Sequence, residues 1–157
     1  MIPAKVQACL DEHQLSVLQF EPGSTPTSEL AAAKIGVAVG QIAKSMLFKA
    51  KDGAFHLVVC AGDRRICSKR MKKHLGVKAR MATVEETFAV TEFKPGGVCP
   101  FGVTQAQVHI DNSLSSYDRV YPAAGTDSTG VPTTYEQLLL ITAGLTCDVM
   151  QETDLSV

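Results

Sequence analysis

Residues 45–61 read SMLFKAKDGAFHLVVCA, and this stretch decides the fold class. Two apolar runs, residues 45–50 and residues 55–61, are joined by Lys51-Asp52-Gly53. An Asp-Gly pair between apolar runs is a strong signal for a β-hairpin, because glycine accepts the positive φ that tight turns require. We therefore expect two antiparallel strands here.

Helical signals lie on both sides of this hairpin. Two capping boxes, in which a threonine and a residue three positions later satisfy each other's backbone N–H groups, predict two helix starts. Gly residues just beyond apolar stretches predict helix ends. The predicted helical segments are residues 3–13, residues 29–35 after a Ser28 cap and before Gly36, one turn at 39–42, residues 69–75 after a Ser68 cap and before Gly76, a short helix from Thr83-x-x-Glu86, and one from Thr134-x-x-Gln137 through Ala143 to Gly144.

Further strands are predicted at residues 16–20, 105–111, 119–124, near Val131 and at 146–150. Residues 94–102 contain two Pro and three Gly, so we expect an irregular loop there. Strands and helices do not alternate strictly, which favours a mixed or largely antiparallel sheet. The chain, residues 1–157, is therefore predicted to form a single α+β domain.

Composition excludes several classes of protein. Apolar residues make up 45% and charged residues 20%, as in globular domains. The sequence has no apolar stretch long enough for a signal peptide or a membrane span, so we expect no membrane partner and a cytoplasmic location. Five cysteines form no CxxC pair, which argues against a disulfide framework.

The four histidines show no zinc-site spacing, and no metal or cofactor is predicted. His109 and Asp111 lie two residues apart on a predicted strand and should face one side. A ligand pair is one interpretation of this spacing. An ordinary structural pair at a strand end is the interpretation that we favour.

Charge is distributed unevenly along the chain although its net value is only −1. Residues 49–80 contain ten bases and two acids, a net charge of +8, and residues 81–157 carry −8. Such a distribution predicts one face that meets a polyanion. A solvated helix face beside an unrelated acidic segment is the alternative.

Two features could carry chemistry. Lys44 stands between an apolar turn and an apolar strand, where a lysine is costly to bury unless it binds an anionic group or acts as a base. An edge lysine that reaches water is the alternative. The glycines at 96–102 free backbone N–H groups to approach an oxyanion. Cys99 lies in this loop, but no neighbouring His predicts a Cys–His nucleophile.

Several ordered blocks of sequence resemble one family. These blocks are TSELAAAKIGV, QIAKSMLF, AGDRRICSKRMKKHLGVKARMAT, GGVCPFG, VHID and VYPAAG, and they span roughly residues 24 to 149. Together they resemble the YbaK/prolyl-tRNA-synthetase-associated family of aminoacyl-tRNA editing domains. The resemblance implies a mixed, mostly antiparallel, barrel-like sheet flanked by helices.

The resemblance also implies the activity and the site. Family members hydrolyse the ester that links a wrong amino acid to tRNA, often proline tRNA carrying Cys or Ala, and Lys44 matches the family lysine. The substrate-binding positions implied by the GxxxP loop and the AG pair are Gly96, Gly97, Val98, Cys99, Pro100, Ala124 and Gly125. Asp111 matches a frequent family acid, for which we expect a structural role.

Aminoacyl-tRNA is therefore the expected partner, and a transient association with a synthetase fits this role. The bases expected to contact tRNA are Arg64, Lys69, Arg70, Lys72 and Lys73. No synthetase catalytic domain is visible in the sequence, so action in trans is expected. Two alternatives remain: a module of the same fold that binds aminoacyl-tRNA or a nucleotide without hydrolysis, and a thiol redox protein that uses Cys60, Cys67 or Cys99.

Overall fold

A computed structural model describes residues 1–152 of the chain. It contains helices and strands in a mixed order, so the predicted α+β class is confirmed. The helices are α1 Ala4–Glu12, α2 Ser28–Ile35, α3 Ser68–Leu75, α4 Val84–Thr91 and α5 Tyr135–Thr142. The strands are β1 Leu18–Gln19, β2 Ala43–Ala50, β3 Phe55–Ala61, β4 Ala79–Met81, β5 Gln107–Asp111, β6 Thr129–Gly130 and β7 Leu145–Cys147.

The main sheet has five strands in the order β4-β2-β3-β5-β7. The predicted hairpin forms its centre, with β2 antiparallel to β3 and Leu47 opposite Leu57. On one side β4 pairs antiparallel with β2, and on the other side β5 and β7 add as parallel strands. The main sheet is therefore mixed, with two antiparallel and two parallel pairings.

The predicted barrel-like closure is not confirmed. Within residues 1–152, β4 and β7 lie at opposite edges of the five-stranded sheet, and β1 pairs only with β6 in a separate two-stranded sheet. The fold is thus an open sheet flanked by helices.

The two faces of the main sheet bury different helices because strand side chains alternate. Leu57 and Val59 pack in one core cluster with Val6 of α1 and Leu138 of α5. The alternate residues of this strand, Val58 and Cys60, point to the other face and pack in a second cluster with Met71 of α3. Helix α3 therefore covers the face opposite to α1 and α5.

Several helix boundaries match the sequence predictions. Both capping boxes form: Thr83 with Glu86 begins α4, and Thr134 with Gln137 begins α5. Gly36 and Gly76 end α2 and α3 in the left-handed conformation. These ends follow local rules, because the residues that satisfy a helix terminus lie within one turn of it.

Two predicted caps were wrong. The side chain of Thr27, not Ser28, accepts the N–H of Leu30, so Ser28 is the first residue of α2. Ser68 is likewise the first residue of α3, and its preceding residue Cys67 makes no side-chain cap hydrogen bond. In both cases the helix begins one residue earlier than the cap rule placed it.

The predicted strand at 119–124 was also wrong. Val120 and Tyr121 make only isolated bridges, to Thr133 and Ile42. Pro122 follows them and has no N–H to donate to a ladder, which limits regular pairing. Strand β4 was missed because three residues with an exposed Arg80 at the centre carry little strand signal.

None of the helices in residues 1–152 is long and apolar enough to cross a bilayer.

Candidate active site

A pocket of about 150 Å³ opens where β2 begins, beside the first turn of α2. The loop at residues 96–98 and the segment 121–123 close its other sides. Its walls are mainly small or aliphatic, with several hydroxyl groups and one lysine. The lining residues are Thr25, Pro26, Thr27, Ser28, Ala31, Ile35, Ile42, Ala43, Lys44, Ser45, Gly96, Val98, Tyr121, Ala123 and Thr129.

Lys44 lies on β2 at this pocket and is partly buried. It is paired with Cys60 of β3, so the two side chains share the sheet face that α3 covers. Its Nζ donates to the carbonyl oxygen of Arg64 at 2.6 Å. This bond uses one of three ammonium protons, which leaves two for an anionic or carbonyl group of a ligand.

Burial raises the pKa of the Cys60 thiol to about 12, although the Lys44 cation beside it acts in the opposite direction. The neighbour of the lysine is therefore a protonated thiol and not a thiolate at neutral pH. Lys44 consequently has no ion-pair partner at Cys60 that would compete with an anionic ligand.

Residues of the glycine loop, 96–102, line two different cavities. Gly96 and Val98 line the pocket. Gly97 packs against Gly125, and a Cβ on Gly97 would lie only 2.8 Å from the Gly125 carbonyl oxygen. Gly97 and Gly125 line a neighbouring cavity of about 340 Å³ instead. The two glycines thus let the loop and the 124–125 turn approach each other closely.

Three other predicted binding residues lie beneath the pocket surface. Cys99 has no exposed surface and belongs to the main core, and Pro100 beside it is buried as well. Burial raises the pKa of the Cys99 thiol to about 12, so the nucleophilic thiolate is strongly disfavoured. Ala124 is buried, and its N–H donates to the Thr129 hydroxyl at 2.9 Å.

Sequence reasoning missed the pocket hydroxyls of Thr25, Ser45 and Thr129. The Thr129 hydroxyl has partners inside the protein, since it accepts hydrogen bonds from the N–H of Ala124 and from the hydroxyl of Thr126. The hydroxyls of Thr25 and Ser45 are buried and have no partner within the protein. The position of Ser45 next to Lys44 was the only signal in the sequence for either residue.

The bases of residues 49–80 divide into two groups. One group lines a groove of about 770 Å³ between α3 and the edge formed by β2 and β4. We call this the basic groove; its cationic residues are Lys49, Lys51, Lys69, Lys72, Lys78 and Arg80. Glu86 lies close to two of them, 3.7 Å from Lys49 and 2.8 Å from Arg80.

The other group does not line this groove. Arg70 pairs with Asp148 at 3.3 Å and with Glu152 at 2.9 Å. Lys73 borders a separate shallow cavity next to Arg70. Arg64 donates to the Gln151 carbonyl at 2.8 Å. Of the five bases predicted to contact tRNA, only Lys69 and Lys72 therefore line the basic groove.

His109 and Asp111 have separate structural partners. The Asp111 carboxylate accepts the N–H of Ser113 at 2.9 Å and that of Val149 at 2.8 Å. His109 lies between two other histidines, with 2.9 Å from its Nε2 to His56 Nδ1 and 2.9 Å from its Nδ1 to His74 Nε2. Both ring nitrogens of His109 are thus occupied by hydrogen bonds inside the protein.

Comparison with known proteins identifies the family of the chain. Residues 22–141 match the profile of the aminoacyl-tRNA editing domain. The chain is 38% identical over 123 residues to the uncharacterized protein YwhH of Bacillus subtilis (strain 168), covering 78% of each chain. It is 33% identical over 107 residues to the proline–tRNA ligase of Bacillus licheniformis, covering 68% of this chain and 18% of the ligase.

A solved structure has the same fold over nearly its whole length. It is described as a candidate trans-editing enzyme for prolyl tRNA synthetase, and it superimposes with a TM-score of 0.86 at 32% identity. The superposition covers 94% of this chain and 96% of the other. The chain belongs to the aminoacyl-tRNA editing domain family, as its motifs predicted.

Proposed function

We propose that this protein is a trans-acting deacylase that hydrolyses the ester of mischarged tRNA, with proline tRNA carrying Cys or Ala as its substrate. The observation that carries the proposal is the pocket that Lys44 shares with Gly96 and Val98 in a member of the editing family. The relation to a proline–tRNA ligase supports the choice of tRNA, and the likeness to a candidate trans-editing enzyme supports action in trans.

Pocket size supports a small amino acid. A space of about 150 Å³ admits the side chain of Ala or Cys, and Ile35, Ile42 and Val98 form part of its apolar wall. A synthetase gains only about 1–3 kcal/mol per methylene and cannot reject a smaller amino acid completely. A second site that admits only small amino acids removes the resulting errors.

In this proposal, backbone N–H groups stabilise the developing negative charge and Lys44 holds the substrate. Ester hydrolysis places negative charge on the carbonyl oxygen, and the N–H groups of Gly96 and Val98 at the pocket are suited to stabilise it, whereas that of Gly97 donates to the Lys94 carbonyl. The two remaining protons of Lys44 hold the terminal phosphate or the ester. Cys99 is protonated and buried, so the attacking oxygen or sulfur comes from water or from the substrate, as a ribose hydroxyl or a cysteine thiol.

Collapse of the tetrahedral intermediate breaks the bond between the acyl carbon and the ribose oxygen. The ribose oxygen takes up the proton that the attacking group gives up and becomes a hydroxyl. Attack by water gives the free amino acid directly. Attack by a cysteine thiol gives a thiolactone, and attack by the neighbouring ribose hydroxyl moves the acyl group to that oxygen; water then releases the amino acid from either product. With water as nucleophile, one molecule of water is consumed for each ester. No redox partner is needed. This chemistry belongs in the cytoplasm, where tRNA is charged, and a transient association with the synthetase would bring the enzyme to freshly charged tRNA.

A deacylation panel tests the proposal. Proline tRNA charged with Cys, Ala or Ser is compared with Cys, Ala and Ser on their cognate tRNAs, and release of the amino acid is measured over time. We expect turnover of at least one mischarged proline tRNA and much slower turnover of the cognate species. Binding of charged tRNA without release of the amino acid would instead identify a binding module.

A further inference from the structure

Two hydroxyl groups in the pocket are buried without a partner in the protein. Thr25 is only 5% exposed, and its Oγ1 has no hydrogen-bond partner. The Oγ of Ser45 is also buried without a hydrogen-bond partner. Both residues line the same pocket as Lys44.

Burying a hydroxyl without a partner destabilises a folded protein, and such groups are few in native structures. Thr129 provides a comparison inside the same pocket. It is 4% exposed, but its hydroxyl accepts the Ala124 N–H and bonds with Thr126. The fold therefore satisfies one pocket hydroxyl and leaves two others for a group that is not part of the chain.

The chemistry of the proposed substrate indicates which group this is. The carbonyl oxygen of an aminoacyl ester accepts hydrogen bonds, and its α-ammonium group donates them. Lys44 and the loop N–H groups can only donate. Among residues 1–152, no carboxylate lines the pocket, so hydroxyl oxygens are the acceptors that its side chains offer.

We propose that Thr25 and Ser45 bind the α-amino group of the aminoacyl ester and thereby fix the orientation of its carbonyl. This proposal rests on the deacylase function and adds a recognition element to it. The hydroxyl oxygens accept from the ammonium group, and the small apolar walls formed by Ala31 and Val98 take the side chain. The pocket thus requires an amino group as well as a small side chain.

The test pairs two variants with two substrates. Thr25→Val and Ser45→Ala remove the hydroxyls with little change in shape. The substrates are alanyl-tRNA for proline and the same tRNA carrying a propionyl group, which lacks only the amino group. Single-turnover rates at increasing enzyme concentration give the maximum rate and the concentration at half-maximum for each pair.

We expect each variant to lose about 10- to 100-fold in efficiency on the alanyl substrate, as for a hydrogen bond to a charged group. On the propionyl substrate the change should stay below about threefold, because the lost partner is already missing. The melting temperature should be unchanged or higher. Thr129→Val is the control, and we expect it to lower the melting temperature because it leaves the Ala124 N–H without its acceptor.

Equal losses on both substrates would overturn the proposal, because the hydroxyls would then serve the carbonyl or the fold. Unchanged rates on the alanyl substrate would overturn it as well. If the wild-type protein hydrolyses no charged tRNA, the deacylase function itself fails. An active wild type with unaffected Thr25 and Ser45 variants removes this inference alone.

Discussion

Lys44 is accommodated in the main sheet by one specific contact. Its ammonium group donates to the Arg64 carbonyl, and the side chain lies beside the protonated thiol of Cys60. Because this thiol is neutral, no ion pair with Cys60 competes with a ligand for the ammonium group. The sequence was sufficient to single out Lys44, because a lysine at the start of an apolar strand conflicts with the pattern around it.

Thr25 and Ser45 could not be singled out in this way. Serine and threonine are common in loops and at strand ends, so nothing local distinguishes a satisfied hydroxyl from an unsatisfied one. The distinction depends on which distant backbone groups come within reach, as the pairing of Ala124 with Thr129 shows. It therefore became visible only in the folded chain.

The first prediction concerns Cys99. Cys99→Ser should retain substantial deacylase activity, because the thiol is buried and its pKa is raised to about 12. The serine oxygen can still accept from the N–H groups of Phe101 and Gly125, so we expect a stability loss of only about 1 kcal/mol. Rates on Ala- and Cys-charged tRNA measure activity and any change in amino-acid preference.

A fall of several orders of magnitude in a folded Cys99→Ser protein would contradict this expectation. So would a thioester trapped on Cys99 in the wild-type protein.

At the scale of elements, the sequence predicted what is determined locally. The β2–β3 hairpin and both capping boxes depend on residues a few positions apart, and all are confirmed. The choice between Thr27 and Ser28 as a cap was missed because adjacent hydroxyl residues give the same sequence signal. The extended backbone of Thr27 decides it in the structure.

Long-range pairing was not predictable from local pattern. Strand β5 adds parallel to β3 although nearly fifty residues separate them, with Val58 opposite His109. Parallel pairing needs a crossover that leaves no turn signature in the sequence. The open, mixed sheet therefore emerged only from the structure, whereas the α+β class followed from the order of elements.

The histidine network formed by His56, His74 and His109 links β3, α3 and β5. Burial lowers the pKa of His109 to about 4, with further contributions from His56 and His74, and burial also lowers the pKa of His56. Asp52 lies near His56, and Arg70, Lys73 and Asp148 surround His74. His109 at the centre of the network is therefore neutral at pH 7 and resists protonation.

A second prediction follows for stability against pH. Above about pH 6.5 His109 is neutral in both states, and its full contribution is present. As pH falls from 6.5 toward 4, the unfolded chain binds a proton that the folded chain does not, so stability falls. The expected loss due to His109 is on the order of 2–3 kcal/mol across this window.

Denaturant unfolding between pH 7.5 and 4 measures this loss. His109→Gln should flatten the dependence on pH even though it lowers stability at pH 7, and His13→Gln, outside the network, should not change the slope. An identical pH dependence for wild type and His109→Gln would show that other groups cause the loss.

At the scale of the whole molecule, charge is segregated. The basic groove lies about 17 Å along β2 from Lys44, since Lys49 is five residues further on a strand that rises about 3.3 Å per residue. Within residues 1–152, Lys51, Lys69, Lys72 and Lys78 have no carboxylate within ion-pair distance. We infer that this groove holds the tRNA backbone while the acylated end enters the pocket.

The third prediction tests this surface. Lys69→Glu with Lys72→Glu should weaken tRNA binding and lower the slope of affinity against salt by about one for each lost phosphate contact. Lys34→Glu with Arg119→Glu is the control with the same change in net charge, on exposed sites outside the groove. Equal effects of both pairs would indicate general repulsion, and unchanged affinity with the first pair would exclude the groove.

The whole site was predictable only in part. Its residues come from segments as distant as Thr25, Lys44, Gly96 and Thr129. The family resemblance, not local pattern, indicated that Lys44 and Gly96 belong together, and it did not indicate Thr25 or Thr129. The resemblance implied a role for Cys99 and Ala124 that their depth in the core makes indirect. The burial of a residue depends on the packing of the whole chain, so no single motif predicts it.

The most direct test of the account is single-turnover deacylation of mischarged proline tRNA by Lys44→Ala. Loss of a charge-assisted contact in the transition state should lower the rate about 10²- to 10³-fold, equivalent to roughly 3–4 kcal/mol. Lys44→Arg should restore little, because the guanidinium lacks the compact geometry of the ammonium. The melting temperature should scarcely change, since only the bond to the Arg64 carbonyl is lost. A near-wild-type rate for a folded Lys44→Ala protein would contradict the assignment of this pocket as the active site.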